Sequence, residues 1–317
     1  MSLTAVDTDE ATRSPAAAAN GWRYLRELEA ESIHILREAA AEFARPVLLY
    51  SIGKDSSVLL RLAQKAFAPG PIPFPLLHID TGYKFPEMIA FRDATARALG
   101  TELIVHGNRE AQAAGAHPDL LGTQRCCAAL KTRALLDALA AGGFDAAFGG
   151  ARRDEEKSRA KERVYSLRDA LGQWDPRRQR PEPWNLYNPR LNPGETMRVF
   201  PLSNWTELDV WLYIHRERIP VVPLYFARER EVVVREPLIL LRENGVRLRP
   251  GETTARVRCR LRSLGCAPCS GAIRSDAATV ADIIVEMFSL RRSERETRLI
   301  DHDEEGSMEA KKREGYF

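Results

Sequence analysis

The chain has 317 residues, a formal net charge of +3 and 44% apolar residues, which is typical of a folded globular protein and excludes disorder of the whole chain. It has no run of about eighteen apolar residues, so we expect no membrane-spanning helix, and its near-neutral charge does not favour a general affinity for nucleic acid. Residues 1–20 contain acids and no apolar stretch of the kind found in secretion signals, and we predict a disordered tail there. We therefore expect a cytoplasmic protein whose five cysteines are reduced thiols or metal ligands.

Helical and strand patterns alternate over the first half of the chain. A helical pattern from Trp22 to Phe43 is followed by Pro46–Tyr50, a short apolar run that we predict to be a buried strand. The further predicted strands are residues 76–80, 102–106 and 145–148, and the further predicted helices begin near Val58, Pro86 and Leu130. Strands that alternate with helices predict a doubly wound α/β fold, with a mostly parallel sheet covered on both faces.

The composition changes after Ala151. Residues 151–180 hold ten basic and six acidic residues, and the segment Trp174–Pro193 is rich in Pro, Asn and Trp, which predicts irregular structure. Thr206 and Asp209 have the spacing of a capping box, so we predict that a helix begins there. We divide the chain into a nucleotide-binding α/β domain of residues 21–215 and a smaller, irregular C-terminal region of residues 216–317.

A polar loop, Ser51–Ser57, lies between the first predicted strand and the next helix. A helix N-terminus at this place presents backbone N–H groups and the positive end of the helix dipole to an anion. Gly53 allows the backbone close to the anion, Lys54 adds a cation, and Asp55 suits Mg²⁺. The predicted phosphate-binding residues are Ser51, Gly53, Lys54, Asp55, Ser56 and Ser57. An ordinary capped turn is the alternative; the loop is not a Walker A motif, because Asp55 follows the lysine where that motif has Ser or Thr.

The segment Ser51–Ser56 resembles the PP-loop of the ATP α/β-pyrophosphatases, whose usual form is SGGKDS. Ile52 replaces the first glycine, as it does in one branch of the PP-loop and PAPS reductase superfamily, the small catalytic subunit of the bacterial heterodimeric sulfate adenylyltransferase. The likeness runs from about Leu28 to Phe317. It includes the motifs at residues 73–82, 148–160, 200–206, 306–308 and 311–317.

The resemblance implies that ATP and sulfate are joined to give adenosine 5′-phosphosulfate and pyrophosphate. Sulfate is already a dianion, so the reaction needs cations, N–H groups and Mg²⁺ rather than a general base. We assign the β- and γ-phosphates to the loop Ser51–Ser57, with Lys54 as the cation and Asp55 near the metal. Asp80 ends the second strand, where it orients the ribose, holds Mg²⁺ or caps a helix.

Two arginines, Arg152 and Arg153, directly follow Gly150 at the end of another predicted strand. The planar guanidinium group of arginine suits an oxyanion because it donates paired hydrogen bonds. We predict that Arg152 and Arg153 are catalytic and that their loop, with Lys157 and Arg159, binds sulfate and the α-phosphate. A solvated charged face is the alternative. Gly150 is a predicted ATP contact.

Four cysteines fall at two positions far apart in sequence: the pair Cys126 and Cys127, and the motif Cys266–Cys269. This arrangement resembles the 4Fe–4S site of the assimilatory adenylylsulfate reductases, and four thiolates are what such a cluster needs. We predict a 4Fe–4S cluster on Cys126, Cys127, Cys266 and Cys269. A zinc site and four buried free thiols are the alternatives. Cys259 alternates with arginines at period two and is predicted to lie in the core.

The resemblance also implies a partner, a larger GTPase subunit, because forming the phosphosulfate anhydride is strongly uphill; the tail Lys311–Phe317 is the predicted docking segment. An alternative function is a PP-loop pyrophosphatase that activates an acceptor for sulfur insertion, as in DNA phosphorothioation or tRNA thiolation, with nucleic acid as the partner. An adenylylsulfate reductase is disfavoured because no cysteine follows Cys269. A non-catalytic, redox-sensing nucleotide binder is the remaining alternative.

Overall fold

The computed structural model describes residues 15–289, and the side chains of residues 23–156 and 159–289. Of the predicted tail, residues 1–14 lie outside this range. Its last six residues belong to the first helix, α1 (Pro15–Glu42). Pro15 suits the first turn of a helix and the alanines that follow are strong helix formers, which explains why the helix starts before Trp22. The predicted docking tail Lys311–Phe317 also lies outside the described residues.

A six-stranded sheet forms the centre of the molecule. Its strands are β1 (Pro46–Leu49), β2 (Leu76–Ile79), β3 (Leu103–His106), β4 (Ala146–Phe148), β5 (Tyr165–Arg168) and β6 (Thr196–Val199). Their order across the sheet is β3-β2-β1-β4-β6-β5, and all neighbours are parallel except β5, which runs antiparallel to β6. The predicted fold class, an α/β fold with a mostly parallel sheet, is confirmed.

Helices cover both faces of this sheet. The other helices are α2 (Lys54–Phe67), α3 (Pro86–Leu99), α4 (Arg109–Ala113), α5 (Pro118–Cys127), α6 (Ala134–Gly142), α7 (Glu207–Glu217) and α8 (Val280–Ser289). Helices α1, α2 and α7 pack together on the face that buries Leu48 and Leu76, whereas α6 packs on the opposite face against Val47 and Leu77. The capping box predicted at Thr206 is confirmed, since its hydroxyl accepts from the N–H of Asp209 at 3.2 Å. In the described part of the chain, no helix combines the length and apolarity needed to cross a membrane.

The region predicted to be irregular contains a small closed barrel. Its antiparallel strands are β7 (Arg228–Arg235), β8 (Leu238–Leu241), β9 (Thr254–Leu261) and β10 (Gly271–Arg274), in the order β10-β8-β7-β9. Its two pairs of short strands explain the weak periodicity of the sequence. Cys259 is fully buried on β9, as its alternation with arginines predicts. The domain boundary at residue 216 stays a prediction.

Side chains close the outer edge of the sheet at β5. The carboxylate of Glu182 accepts from the backbone N–H groups of Val164 and Tyr165, at 3.0 and 2.7 Å. The amide of Gln179 accepts from the N–H of Leu167 at 2.9 Å and donates to its carbonyl at 3.2 Å. Both side chains come from the segment after Ala151 that the sequence predicts to be irregular. This segment therefore covers an edge strand with two of its side chains, although most of its residues are exposed.

Candidate active site

A pocket opens at the carboxyl ends of three neighbouring strands. The ends of β1 and β2, residues 49–51 and 77–79, form one side of it, and residues 149–151 after β4 form the other. The strand order changes direction between β1 and β4, which is where ligands bind in open α/β sheets. The start of α2 and residues 263–265, from the turn after β9, complete the lining.

The predicted phosphate loop lies at this pocket. Helix α2 begins at Lys54 directly after Gly53, and the hydroxyl of Ser51 lies 3.2 Å from that of Ser56. Ile52 is fully buried and has a φ of 70°, the left-handed region that a β-branched residue rarely adopts. Such strain is typical of functional loops. Ser57 faces away, since its side chain lines a second cavity on the other side of α2.

Asp55 links the phosphate loop to the arginine loop. Its carboxylate accepts from the Nζ of Lys54 at 3.1 Å and forms an ion pair with Arg152. Arg152 also donates from Nε to Asp154 at 3.0 Å. The side chains of Lys54 and Arg152 are each only 1% exposed, whereas Asp55 keeps 22% of its surface. Two buried cations are therefore held at the pocket by one partly accessible carboxylate.

The backbones of the phosphate loop and the arginine loop also approach each other closely. A Cβ atom on Gly150 would lie 3.2 Å from backbone atoms of Asp55 and Ser56, so only glycine fits without a shift. Gly150 lines the pocket, as predicted for an ATP contact. Its role in binding ATP stays a prediction.

The structure separates the other predicted residues. Arg159 lines the pocket, but Arg152 and Arg153 do not: Arg152 is buried against Asp55, a lining residue, and the guanidinium group of Arg153 binds the side chain of Asn204. The side chain of Lys157 lies outside the described residues. Asp80 does not line the pocket either. Its carboxylate accepts from the N–H of Gly82 at 2.9 Å, so it closes a turn and does not cap α3.

Three residues of the pocket lining are not identified by the sequence analysis. Lys84 and Lys131 bring two more cations to the pocket, and Tyr225 brings a hydroxyl that accepts from the N–H of Lys54 at 2.8 Å. No local motif marks a lone lysine or a tyrosine 171 residues from its partner. The tyrosine ring is held edge-on against Trp211, with ring centroids 5.3 Å apart.

His78 is a neutral residue of the pocket lining. Its Nδ1 lies 2.9 Å from the carbonyl oxygen of Tyr50, which can only accept, so Nδ1 carries the proton. Burial lowers the pKa of His78 to about 4, and the positive charge of Lys84 adds to this effect. The imidazole is therefore uncharged at neutral pH.

The four predicted cluster ligands come together beside the pocket. Cys126 and Cys127 end α5, and Cys266 and Cys269 flank the turn that packs against it; all four are buried. Burial raises the pKa of Cys126 to about 11, with Cys127 and Cys266 adding to it, and burial also raises the pKa of Cys269.

Cys266 differs from the other thiols of this group. Burial alone would raise its pKa, but Lys131, Lys84 and a hydrogen bond with Thr81 together lower it. The Thr81 hydroxyl lies 3.1 Å from its sulfur. Within residues 15–289, no group of three or more Cys, His, Asp or Glu side chains has an arrangement that holds a metal ion. The described thiols therefore give the predicted cluster no support.

Comparison with known proteins gives the family. The phosphoadenosine phosphosulfate reductase domain matches residues 45–272. Sulfate adenylyltransferase subunit 2 of Myxococcus xanthus (strain DK1622) is 67% identical over 295 residues, covering 93% of this chain and 97% of the relative. The chain belongs to the sulfate adenylyltransferase subunit 2 family. The protein of the same name from Azospirillum brasilense is 66% identical over 294 residues, covering 92% and 98%.

Membership of the sulfate adenylyltransferase subunit 2 family confirms the predicted enzyme class, a nucleotidyltransferase, and the resemblance on which it rests. Among solved structures, a phosphoadenylyl-sulfate reductase from Candida auris in a phosphate complex is 19% identical with a TM-score of 0.44. That match covers 64% of this chain and 89% of the other. A likeness this remote carries no argument about function.

Proposed function

We propose that this chain adenylylates sulfate with ATP, giving adenosine 5′-phosphosulfate and pyrophosphate. The observation that carries the proposal is the carboxylate of Asp55 in the pocket lining, which pairs with Lys54 of the phosphate loop and with the buried Arg152 of the arginine loop. An anion on either loop thus lies near cations from both. The name of the 67% identical relative supports sulfate as the acceptor.

The reaction is an in-line displacement at phosphorus. A sulfate oxygen attacks the α-phosphorus of ATP, the bond from that phosphorus to the oxygen bridging it to the β-phosphorus breaks, and pyrophosphate leaves with the electron pair. No proton has to move from the nucleophile. The protein therefore contributes positioning and charge, with the N–H groups at the start of α2 and the Nζ of Lys54 on the leaving pyrophosphate.

The other cations of the pocket suit the second anion. Arg159 follows β4 and lines the pocket together with Lys84 and Lys131, and the buried Arg152 adds positive charge through its ion pair with Asp55. We assign the α-phosphate and sulfate to these side chains. Their fixed positive charge offsets the repulsion between two anions, an effect that is strongest where water is excluded.

Mg²⁺ fits the oxygen donors of this pocket. Asp55 and Glu155 both line it with carboxylate oxygens, the ligand type that Mg²⁺ prefers, and Mg²⁺ in nucleotide sites takes one or two carboxylates together with phosphates. When bound, the ion supplies further charge neutralisation to the phosphates. The predicted roles of Asp80 and Arg153 remain proposals for the complex with substrates.

A partner subunit is part of this proposal. The relatives are named as subunit 2 of their enzyme, so we infer that this chain works with a larger subunit. Because the anhydride product lies uphill, a nucleotide-hydrolysing partner such as a GTPase would drive the reaction. Mixing the purified chain with a candidate GTPase subunit should give co-elution in size-exclusion chromatography; separate elution would contradict the assignment.

Pyrophosphate release from Mg-ATP, measured with and without sulfate, tests the activity. We expect release that depends on sulfate and a product that migrates as adenosine 5′-phosphosulfate. Release that ignores sulfate and rises only with a nucleic acid or a sulfur carrier would favour the alternative function, activation of an acceptor for sulfur insertion.

The 4Fe–4S cluster stays a prediction without support from the described side chains. Anaerobic purification followed by iron analysis and a visible absorption spectrum tests it. About four irons per chain with a broad visible band would establish the cluster, and a colourless, iron-free protein would exclude it.

A further inference from the structure

Four thiols lie together beside the pocket, and the proposed reaction uses none of them. They come from the end of α5 (Cys126, Cys127) and from the turn that packs against it (Cys266, Cys269). Each keeps only 5–8% of its surface exposed. Since their arrangement does not match a metal-binding group within the described residues, their chemistry with one another is the remaining question.

The turn between Cys266 and Cys269 has the geometry of a dithiol pair. The N–H of Cys269 donates to the carbonyl of Cys266 at 2.9 Å, which closes a one-turn helix over Ala267–Cys269. A turn of this kind brings its first and fourth Cα atoms within about 7 Å. Disulfides join Cα atoms about 4.4–6.8 Å apart, so the backbone of this turn brings the two cysteines close to the separation that a disulfide needs.

The sulfur of Cys266 is also connected to the pocket. It lies 3.1 Å from the hydroxyl of Thr81, which follows the end of β2. It interacts with Lys131, a cation of the pocket lining, and its chain neighbour Gly265 lines the pocket as well. A new bond to this sulfur therefore changes the surroundings of Lys131 and of the strand end.

We propose that Cys266 and Cys269 are a redox modification site: a peroxide converts them to a reversible disulfide that weakens nucleotide binding. In the first step the sulfur of Cys266 attacks hydrogen peroxide, the O–O bond breaks, and a sulfenic acid and water form. The sulfur of Cys269 then displaces the second water. The two thiols together lose two electrons and two protons, and the peroxide is reduced to two water molecules.

The effect on the pocket follows from the contacts that the bond removes. In the disulfide, Cys266 carries no proton to share with Thr81, so this contact beside the pocket changes. We expect ATP to bind about tenfold more weakly, which corresponds to about 1.4 kcal/mol. This consequence rests on the proposed ATP site, whereas formation of the disulfide does not.

The experiment uses the full chain, purified and shown to be free of iron. The protein is oxidised with hydrogen peroxide, unfolded, alkylated and mapped by mass spectrometry, and binding of a non-cleavable α,β-methylene ATP analogue is measured before and after. We expect a linked Cys266–Cys269 peptide, alkylation of the other three cysteines, weaker analogue binding and full recovery with dithiothreitol. Cys259, fully buried in the barrel, is the internal control and should stay alkylatable.

A Cys266→Ala variant provides the matched comparison, because it lacks the sulfur that reacts first. Its analogue binding should not respond to peroxide, and the reversal of the wild-type effect by dithiothreitol keeps the test decisive even if this variant folds poorly. Five alkylatable cysteines after oxidation, a bond from Cys266 to Cys126 or Cys127, or bound iron would each overturn the site. A disulfide with unchanged analogue binding would overturn the link to the pocket. Because no step uses sulfate, failure of the adenylylation assay leaves the thiol mapping unaffected.

Discussion

The backbone N–H of Lys54 donates a hydrogen bond of 2.8 Å to the hydroxyl of Tyr225, 171 residues further along the chain. Lys54 begins α2 at the phosphate loop, whereas Tyr225 lies in the segment that leads from α7 into the barrel. This hydrogen bond therefore connects the C-terminal part of the chain to the phosphate loop. It also satisfies one of the N–H groups that a helix start leaves without an intrahelical partner.

Tyr225→Phe removes the hydroxyl that accepts this hydrogen bond and changes the volume of the side chain very little. We expect the free energy of unfolding to fall by about 1 kcal/mol, because a buried N–H loses its partner. Urea denaturation followed by circular dichroism measures it. Tyr24→Phe, at a tyrosine that is 47% exposed, is the matched control. Equal midpoints for both variants would show that the hydrogen bond adds nothing to stability.

Arg152 and Arg153 are neighbours in sequence with different surroundings, which makes them a natural pair of variants. Arg152→Met removes the buried cation beside Asp55, and we expect kcat/KM for sulfate-dependent pyrophosphate release to fall at least about 100-fold. Arg153→Met removes a contact with Asn204 outside the pocket, and we expect less than about a threefold change. Comparable losses of kcat/KM in both variants would show that Arg153 is also a catalytic residue.

Gly150→Ala tests the close approach of the two loops. The new methyl group would lie 3.2 Å from backbone atoms of Asp55 and Ser56, so the phosphate loop has to shift by a few tenths of an ångström. We expect about tenfold weaker ATP binding, measured by isothermal titration, with a near-native circular dichroism spectrum. Unaltered affinity would mean that the loop adapts freely.

His78 makes stability depend on pH. Burial lowers its folded-state pKa to about 4, below the value of about 6.5 in an unfolded chain, so the unfolded state binds the proton first. The neutral His78 makes its full contribution to the free energy of unfolding above about pH 6.5. This contribution is lost as the pH falls from there to about 4. Between pH 7 and pH 5 we expect the wild type to lose about 2 kcal/mol more than His78→Gln, measured by urea denaturation. Parallel curves for the two proteins would contradict this.

Arg198 is a buried cation on β6, and none of its three guanidinium nitrogens has a hydrogen-bond partner among the described residues. Burial, then the charge of Arg168, lowers its pKa to about 9, so the charged form opposes folding at every pH below that value. Arg198→Met should therefore stabilise the protein at pH 7 by about 1–2 kcal/mol, and the gain should shrink above pH 9 as the wild type loses its proton. Arg177→Met, at a side chain that is 87% exposed, should change neither.

The parts of the candidate site that could be predicted are those marked by a local sequence pattern. The loop Ser51–Ser57 is one contiguous segment between a strand and a helix, so its place at a sheet edge follows from order along the chain. Gly150 and Arg152 follow the next strand of the same sheet, and parallel strands bring their carboxyl ends to one edge.

Long-range contacts explain what could not be predicted. Tyr225 and Lys131 reach the pocket from segments with no nucleotide motif, and nothing local marks them. The sequence predicts Arg153 at the pocket together with Arg152, but the guanidinium group of Arg153 binds Asn204, 51 residues further along the chain. The barrel strands β7 and β8 are separated by only two residues, but β7 is rich in charge and β8 is entirely apolar, so no shared pattern in the sequence marks their pairing.

The closed edge of β5 limits how this sheet can meet another protein. Glu182 and Gln179 already occupy the outward N–H groups of Val164, Tyr165 and Leu167. A strand from a second chain would have to displace both side chains before it could pair there, and the sheet is thus protected on this side from edge-to-edge growth. A partner subunit that contacts this end of the molecule must therefore recognise side chains rather than extend the sheet.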